Sequence, residues 1–148
     1  MKKLACIAAL MLLASPVIAA DFYKGFAAAQ RGDYATALDE WRPLANEGDS
    51  IAQYNLGIMY TQGQGVRQNY DAAFKLFLKS ADQGYAEAQH NLGVLYTSGK
   101  GVPQDYVVAV KWYRRAAEQG HGPAQHNLGL MYHHSLGTPQ DYEAAAQC

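Results

Sequence analysis

A six-residue pattern that recurs at a fixed interval constrains this chain more than any other feature. The segment Ala52-Gln53-Tyr54-Asn55-Leu56-Gly57 returns at residues 88–93 and 124–129 with only its third residue changed, so the period is 36 residues. Gly63-Gln64-Gly65-Val66 matches residues 99–102 in the same register. A sustained period of about 20 to 50 residues is typical of solenoids, in which each unit buries its apolar face against its neighbours. The repeats therefore define one domain.

Each unit predicts two amphipathic helices. In the first helix, Ala52, Leu56 and Met59 share one face at 3.6 residues per turn, and in the second helix Tyr70 and Phe77 do the same. The N-cap candidates of the second helices are Asn69, Asp105 and Asp141. The glycines at which second helices must end are Gly48, Gly84 and Gly120. The prediction is an all-α fold, a right-handed α-solenoid of about three and a half 36-residue helix-turn-helix repeats.

The repeat register divides the chain into five segments. Residues 1–20 read as a targeting segment, 21–49 as an N-terminal capping unit whose leading helix runs from Phe22 to about Gln30, 50–85 as repeat 1, 86–121 as repeat 2, and 122–148 as an incomplete repeat 3. The second helix of repeat 3 has only two turns, from Tyr142 to Cys148, which is marginal. We expect that the chain is truncated, is covered by a partner, or dimerises through its C-terminal end, with Cys148 available to link a dimer.

The first twenty residues have the composition of a secretory signal peptide. Lys2 and Lys3 precede an apolar run of residues 4–14, and a Ser-Pro pair follows before Ala19 and Ala20. The apolar run is too short to cross about 30 Å of hydrocarbon. Cleavage after Ala19 and cleavage after Ala20 both remain open. The expected location is periplasmic or secreted, without stable membrane insertion after cleavage.

The charge and the titratable residues exclude several classes of function. A net charge of −1 leaves no basic surplus for nucleic acid. Four of the five histidines lie between His121 and His134, but they lack the i, i+4 spacing and the HExxH pattern of a zinc site. No nucleophile stands in a recognisable catalytic motif. The sequence predicts no metal, no cofactor and no enzymatic activity.

The repeat resembles a known family. The unit at residues 87–120, with Trp112-Tyr113 and the ending Ala116-Ala117-Glu118-Gln119-Gly120, is similar to the Sel-one-like repeat (SLR), a relative of the tetratricopeptide repeat. The resemblance covers residues 33–148. It implies an adaptor that assembles other proteins, and for exported bacterial members it implies envelope regulation or interaction with a host cell. A β-lactam-binding subgroup carries a Cys pair in each repeat, which this chain lacks.

The resemblance also implies where a partner binds. If tetratricopeptide geometry carries over, first-helix residues that point away from the second helix line a concave groove. These are Tyr54, Asn55, Ile58, His90, Asn91, Val94, His126, Asn127, Leu130 and His133. The asparagines either line the groove or brace the neighbouring repeat, and both interpretations stay open.

The predicted function is that of an exported adaptor for an unidentified protein or peptide. Two alternatives stay open beside it. One is a binder or hydrolase of cell-wall or β-lactam-type small molecules. The other is an element that self-assembles through an uncapped last repeat.

Overall fold

A computed structural model describes residues 20–137, in which seven α-helices follow one another with no strand. They are α1 (Phe22–Gln30), α2 (Tyr34–Asn46), α3 (Ser50–Gln62), α4 (Tyr70–Asp82), α5 (Ala86–Ser98), α6 (Tyr106–Glu118) and α7 (Gly122–His133). Residues 1–19 of the predicted signal peptide, the predicted cap Asp141, the second helix of repeat 3 and Cys148 lie outside the described residues.

Each helix packs against the next one in the chain, and this serial packing confirms the all-α repeat solenoid. Ala52, Ala73 and Ala88 are completely buried, so the helix backbones approach each other closely. Phe77 and Leu92 fill the space between them and are buried as well. Small residues set against large ones give the density of a well-packed interior. Within residues 20–137 no helix is both long enough and apolar enough to cross a membrane.

The predicted helix ends are confirmed where the structure describes them. The side chain of Asn69 accepts a hydrogen bond from the backbone N–H of Ala72 at 3.0 Å, and Asp105 accepts from Val108 at the same distance. Each cap satisfies one of the N–H groups that a helix start leaves without a partner. Gly84, two residues beyond the end of α4, has a φ of +93°, which glycine adopts without a Cβ penalty.

Buried glutamines join the successive helix pairs. The Gln53 side chain donates to the carbonyl oxygen of Ala45 at 3.0 Å, in the last turn of α2, and its own Oε1 accepts from Gln83 at 2.8 Å. Gln89 accepts in the same way from Gln119 at 2.8 Å. A buried polar group without a partner is costly, and here both ends of the amide are paired. These hydrogen bonds between successive helix pairs account for the glutamine that recurs in the six-residue pattern.

In each repeat, a glycine in the loop between the two helices packs against the preceding repeat. Gly101 has a φ of +69°, and a Cβ there would overlap the backbone carbonyl of Tyr70, the first residue of α4. Gly137 meets the carbonyl of Tyr106 in the same manner, one repeat later. Only glycine allows this approach of two backbones. The turn between the two helices of one repeat is thereby docked on the preceding repeat.

Candidate functional site

The surface formed by α3, α5 and α7, here called the first-helix wall, differs from the rest of the molecule in charge. Apart from histidines, Glu87 is the only ionisable acidic or basic residue in these three helices. In contrast, α4 carries Lys75 and Lys79, and α6 carries three basic residues. Phenol, imidazole, amide and apolar side chains dominate the first-helix wall. Such a surface offers hydrogen bonds and apolar contact without a net electrostatic preference.

A pocket of about 310 Å³ opens on this wall between α3 and α5. It is lined by Ile58, Thr61, Gln62, Tyr70, Phe77, Asn91, Val94, Leu95, Ser98 and Lys100. The buried Phe77 and Leu95 supply its apolar floor, while Val94 is 38% exposed. We call this cavity the junction pocket, because it lies where repeat 1 meets repeat 2.

Few polar groups of the junction pocket are free for a ligand. The hydroxyl of Thr61 donates to the carbonyl of Ile58 at 2.8 Å, and that of Ser98 donates to the carbonyl of Val94 at 2.8 Å. Both hydroxyl protons are therefore engaged within their own helices. The Lys100 ammonium lies 5.2 Å from the centre of the Tyr70 ring, within the range of a cation–π contact. The pocket thus combines apolar walls with one cation.

Beside the pocket, Tyr54 joins an aromatic cluster. Its ring centre lies 5.8 Å from that of Phe77 and 5.1 Å from that of Tyr85. Burial raises the pKa of the Tyr54 phenol, the charge of Glu87 raises it further, and a hydrogen bond with Asn91 opposes both effects. The phenol is therefore neutral at physiological pH. It connects α3 to α5 across the repeat junction.

One repeat later, the same positions carry histidines. The His90 ring centre lies 5.7 Å from that of Tyr113 and 5.0 Å from that of His121. Burial lowers the pKa of His90, and the charge of His121 lowers it further. The Asn127 amide Nδ2 donates to His90 Nε2 at 3.0 Å, which requires the His90 tautomer that has its proton on Nδ1. Asn127 thus bridges α7 to α5, just as Asn91 bridges α5 to α3.

The structure brings some of the predicted groove residues together and separates others. Ile58, Asn91 and Val94 line the junction pocket, and Tyr54, His90 and Asn127 form the two clusters beside it. Asn55 is half-buried on α3, and His126, Leu130 and His133 are exposed on α7, away from the pocket. The contact of all ten residues with a partner stays a prediction.

The sequence analysis missed the residues that the second helix and the loop contribute to the pocket. Tyr70 and Phe77 fit the apolar face of the second helix, and Lys100 lies in the glycine-rich turn. The sequence signal that could have identified Lys100 is a change of charge at one position of the repeat. Repeat 1 has the neutral Gln64 at this position, and repeat 2 has Lys100. In the described part of the chain, no three His, Cys, Asp or Glu side chains converge as metal ligands do.

Comparison with known proteins gives consistent matches. The sequence profile of the Sel1 repeat matches residues 50–85, 86–121 and 122–148. A Sel1 repeat protein from Oxalobacter formigenes is 35% identical, with a TM-score of 0.77 over 86% of this chain and 52% of its own. A protective antigen present in uropathogenic Escherichia coli strains, which displays an SLR fold, is 37% identical, with a TM-score of 0.75 over 79% of this chain and 26% of its own. No curated protein matches the chain.

Proposed function

The chain belongs to the Sel1 repeat family, and from that premise we propose that its first-helix wall binds an extended segment of another protein. Sel1 repeats typically mediate protein–protein interaction and generally serve as non-catalytic scaffolds. The chain spans 52% of the length of the Oxalobacter formigenes protein. The proposal therefore concerns the activity of this segment of repeats.

The observation that carries the proposal is the first-helix wall, whose only acidic or basic residue apart from histidines is Glu87, with the junction pocket in it. An extended peptide presents backbone N–H and C=O groups along its length, and it needs neutral donors and acceptors that do not select for charge. The phenol of Tyr54, the imidazole of His90 and the amide of Asn91 are neutral, and the phenol and the amide have further donor and acceptor positions beyond their bonds within the protein. A pocket of about 310 Å³ accepts one large apolar side chain of that peptide.

Export is the second part of the proposal, and it rests on residues 1–20. The two lysines, the apolar run and the small residues before Asp21 match a cleavable signal. The expected result is a mature protein that begins at residue 20 or 21 and is recovered from the periplasm or the medium. Mass spectrometry of the protein expressed in a Gram-negative host measures the start. An intact Met1 on protein recovered from the cytosol would overturn this part.

The binding proposal is tested by selecting linear peptides from a phage-displayed library on the immobilised protein. Enriched peptides are then titrated by calorimetry against wild type, Val94→Arg and Phe26→Arg. Val94 is 38% exposed inside the junction pocket, and Phe26 is 47% exposed on α1, so both substitutions add one charge at an accessible apolar site. We expect Val94→Arg to abolish binding and Phe26→Arg to leave it unchanged. Peptides that bind both variants equally well would show that the first-helix wall is not the binding surface.

A further inference from the structure

A second pocket lies among α2, α3 and α4. It has a volume of about 370 Å³, and Leu56, Tyr60 and Leu76 contribute its apolar lining. Three basic side chains border it, Arg42 from α2 and both Lys75 and Lys79 from α4. We call this site the basic pocket. It shares no lining residue with the junction pocket.

The three cations have no anionic partner within the described residues. The one ion pair in residues 20–137 joins Lys24 to Glu40, and no carboxylate lies within 4.0 Å of Arg42, Lys75 or Lys79. Like charges at i and i+4 on a helix destabilise it slightly, so Lys75 and Lys79 repel each other. An anionic ligand would remove this repulsion. Among the described residues, the three cations of the basic pocket are exposed and form no ion pair, so they are available to an anionic ligand.

The spacing and the lining of the pocket restrict the kind of anion. Lys75 and Lys79 are four residues apart, or about 6 Å along the helix axis, which equals the spacing of two carboxylates at i and i+4 on a facing helix. Leu56 is 4% exposed and lines the pocket, so its side chain is reached only by a group that enters the pocket. A bare phosphate ion would pair with the cations and leave the apolar lining uncovered. A peptide that carries an apolar side chain beside two carboxylates would use both.

We propose that the basic pocket binds an acidic helical segment of a partner protein, with an apolar side chain inserted between Arg42 and the two lysines of α4. The partner's carboxylates pair with the three cations, and its apolar residue covers Leu56 and Leu76. This surface is independent of the proposed peptide site on the first-helix wall. The chain then holds two different segments at two separate pockets.

The next repeat supplies an internal comparison. The positions of Lys75 and Lys79 are occupied by Lys111 and Arg115 one period later, but Arg42 is replaced by Leu78. The Arg115 guanidinium lies 4.7 Å from the centre of the Trp112 ring and is engaged there. The groove between α4 and α6 therefore has fewer available cations. Substitutions at Lys111 and Arg115 remove the same charge without touching the basic pocket.

The test uses a short fluorescein-labelled helical peptide with glutamates at i and i+4 and a leucine at i+3, titrated into the full chain by fluorescence anisotropy. We expect the double variant Lys75→Gln, Lys79→Gln to weaken binding at least about fivefold, and Lys111→Gln, Arg115→Gln to weaken it less than about twofold. Replacing the peptide's leucine by alanine should also weaken binding. Circular dichroism checks that each variant is folded.

Three results would overturn the proposal. Equal losses from the two double variants would mean that only net charge attracts the peptide. Displacement of the peptide by millimolar inorganic phosphate would mean an anion site that does not use the apolar lining. Stronger binding to phosphatidylglycerol vesicles than to the peptide would mean a membrane contact. A result of any of these kinds leaves the peptide titrations at Val94 unaffected, so the two proposals fail separately.

Discussion

The glycine that ends each Ala-Gln-x-Asn-Leu-Gly segment allows a test of helix packing with a built-in control. Gly93 and Gly129 occupy the same position of α5 and α7 and follow the same two residues. A Cβ on Gly93 would lie 2.5 Å from Cε1 of Tyr113, whereas a Cβ on Gly129 meets no atom of residues 20–137 within 4 Å. The two alanine substitutions therefore change helix propensity equally and differ in packing.

The magnitude follows from this difference. Alanine in place of glycine inside a helix gains about 1 kcal/mol. At Gly93 the Tyr113 ring must retreat by about 1 Å to restore an ordinary carbon–carbon contact, but it is buried and packs against His90. Overpacking of this kind costs about 1–3 kcal/mol. Because the propensity gain cancels between the two sites, Gly129→Ala should be more stable than Gly93→Ala by about 1–3 kcal/mol.

Urea unfolding followed by far-UV circular dichroism measures the difference. Gly129→Ala should unfold at a higher urea concentration than wild type, and Gly93→Ala at a lower concentration than Gly129→Ala by about 0.5–1 M or more. The control is Gly57→Ala, whose Cβ would lie 2.5 Å from Cε1 of Phe77 and which should behave like Gly93→Ala. If Gly93→Ala and Gly129→Ala were equally stable, the reasoning from ring contact would be refuted.

Three further predictions concern stability. Ser135 has a φ of +53°, so Ser135→Gly should stabilise the chain by about 1 kcal/mol and raise the melting temperature, and an unchanged melting temperature would contradict this. Because the pKa of His90 is lowered in the folded protein, the unfolded state binds more protons as the pH falls. The contribution of neutral His90 to the free energy of unfolding is therefore complete above the ordinary histidine pKa of about 6.5, and it is lost as the pH falls through the lowered pKa of the folded protein. Urea midpoints between pH 7.5 and 5 should therefore fall less steeply for His90→Phe than for wild type. Gln89→Ala removes the side-chain donor to the carbonyl of Ala81 and the acceptor of the Gln119 amide, so it should cost about 1 kcal/mol, whereas Gln125→Ala, at the exposed equivalent position, should cost less than half as much in the same assay.

The helices and their core faces could be predicted from the sequence because a single period governs them. Ala52, Leu56 and Met59 recur at helical spacing, and all three are buried. Helix ends could be predicted for a similar reason, since caps such as Asn69 depend on residues within one turn. These features are local in sequence or repeat at a fixed interval, which is why one sequence sufficed.

The site was predictable only in part. The tetratricopeptide geometry that the family resemblance implies placed Ile58, Asn91 and Val94 on one surface, and the structure finds them around one pocket. It did not indicate that Phe77 forms the floor or that Lys100 reaches the opening, because both depend on the angle at which one repeat stacks on the next. Stacking angles arise from contacts between residues more than thirty positions apart, such as the bond between His90 and Asn127. The spacing of residues within one helix does not contain that information.

The docking of each loop glycine on the preceding repeat has a consequence for how such a chain evolves. Gly101 contacts the backbone of Tyr70, and Gly137 contacts the backbone of Tyr106. A duplicated unit of 36 residues therefore contains both a loop glycine and the backbone carbonyl against which the next loop glycine packs. A shorter or longer insertion would shift the glycine away from that carbonyl and separate two repeats. The gene can therefore grow or shrink by whole units through recombination while the third residue of each motif, such as Tyr54 or His90, varies. The contacts that join one repeat to the next therefore do not depend on the loop of any other unit.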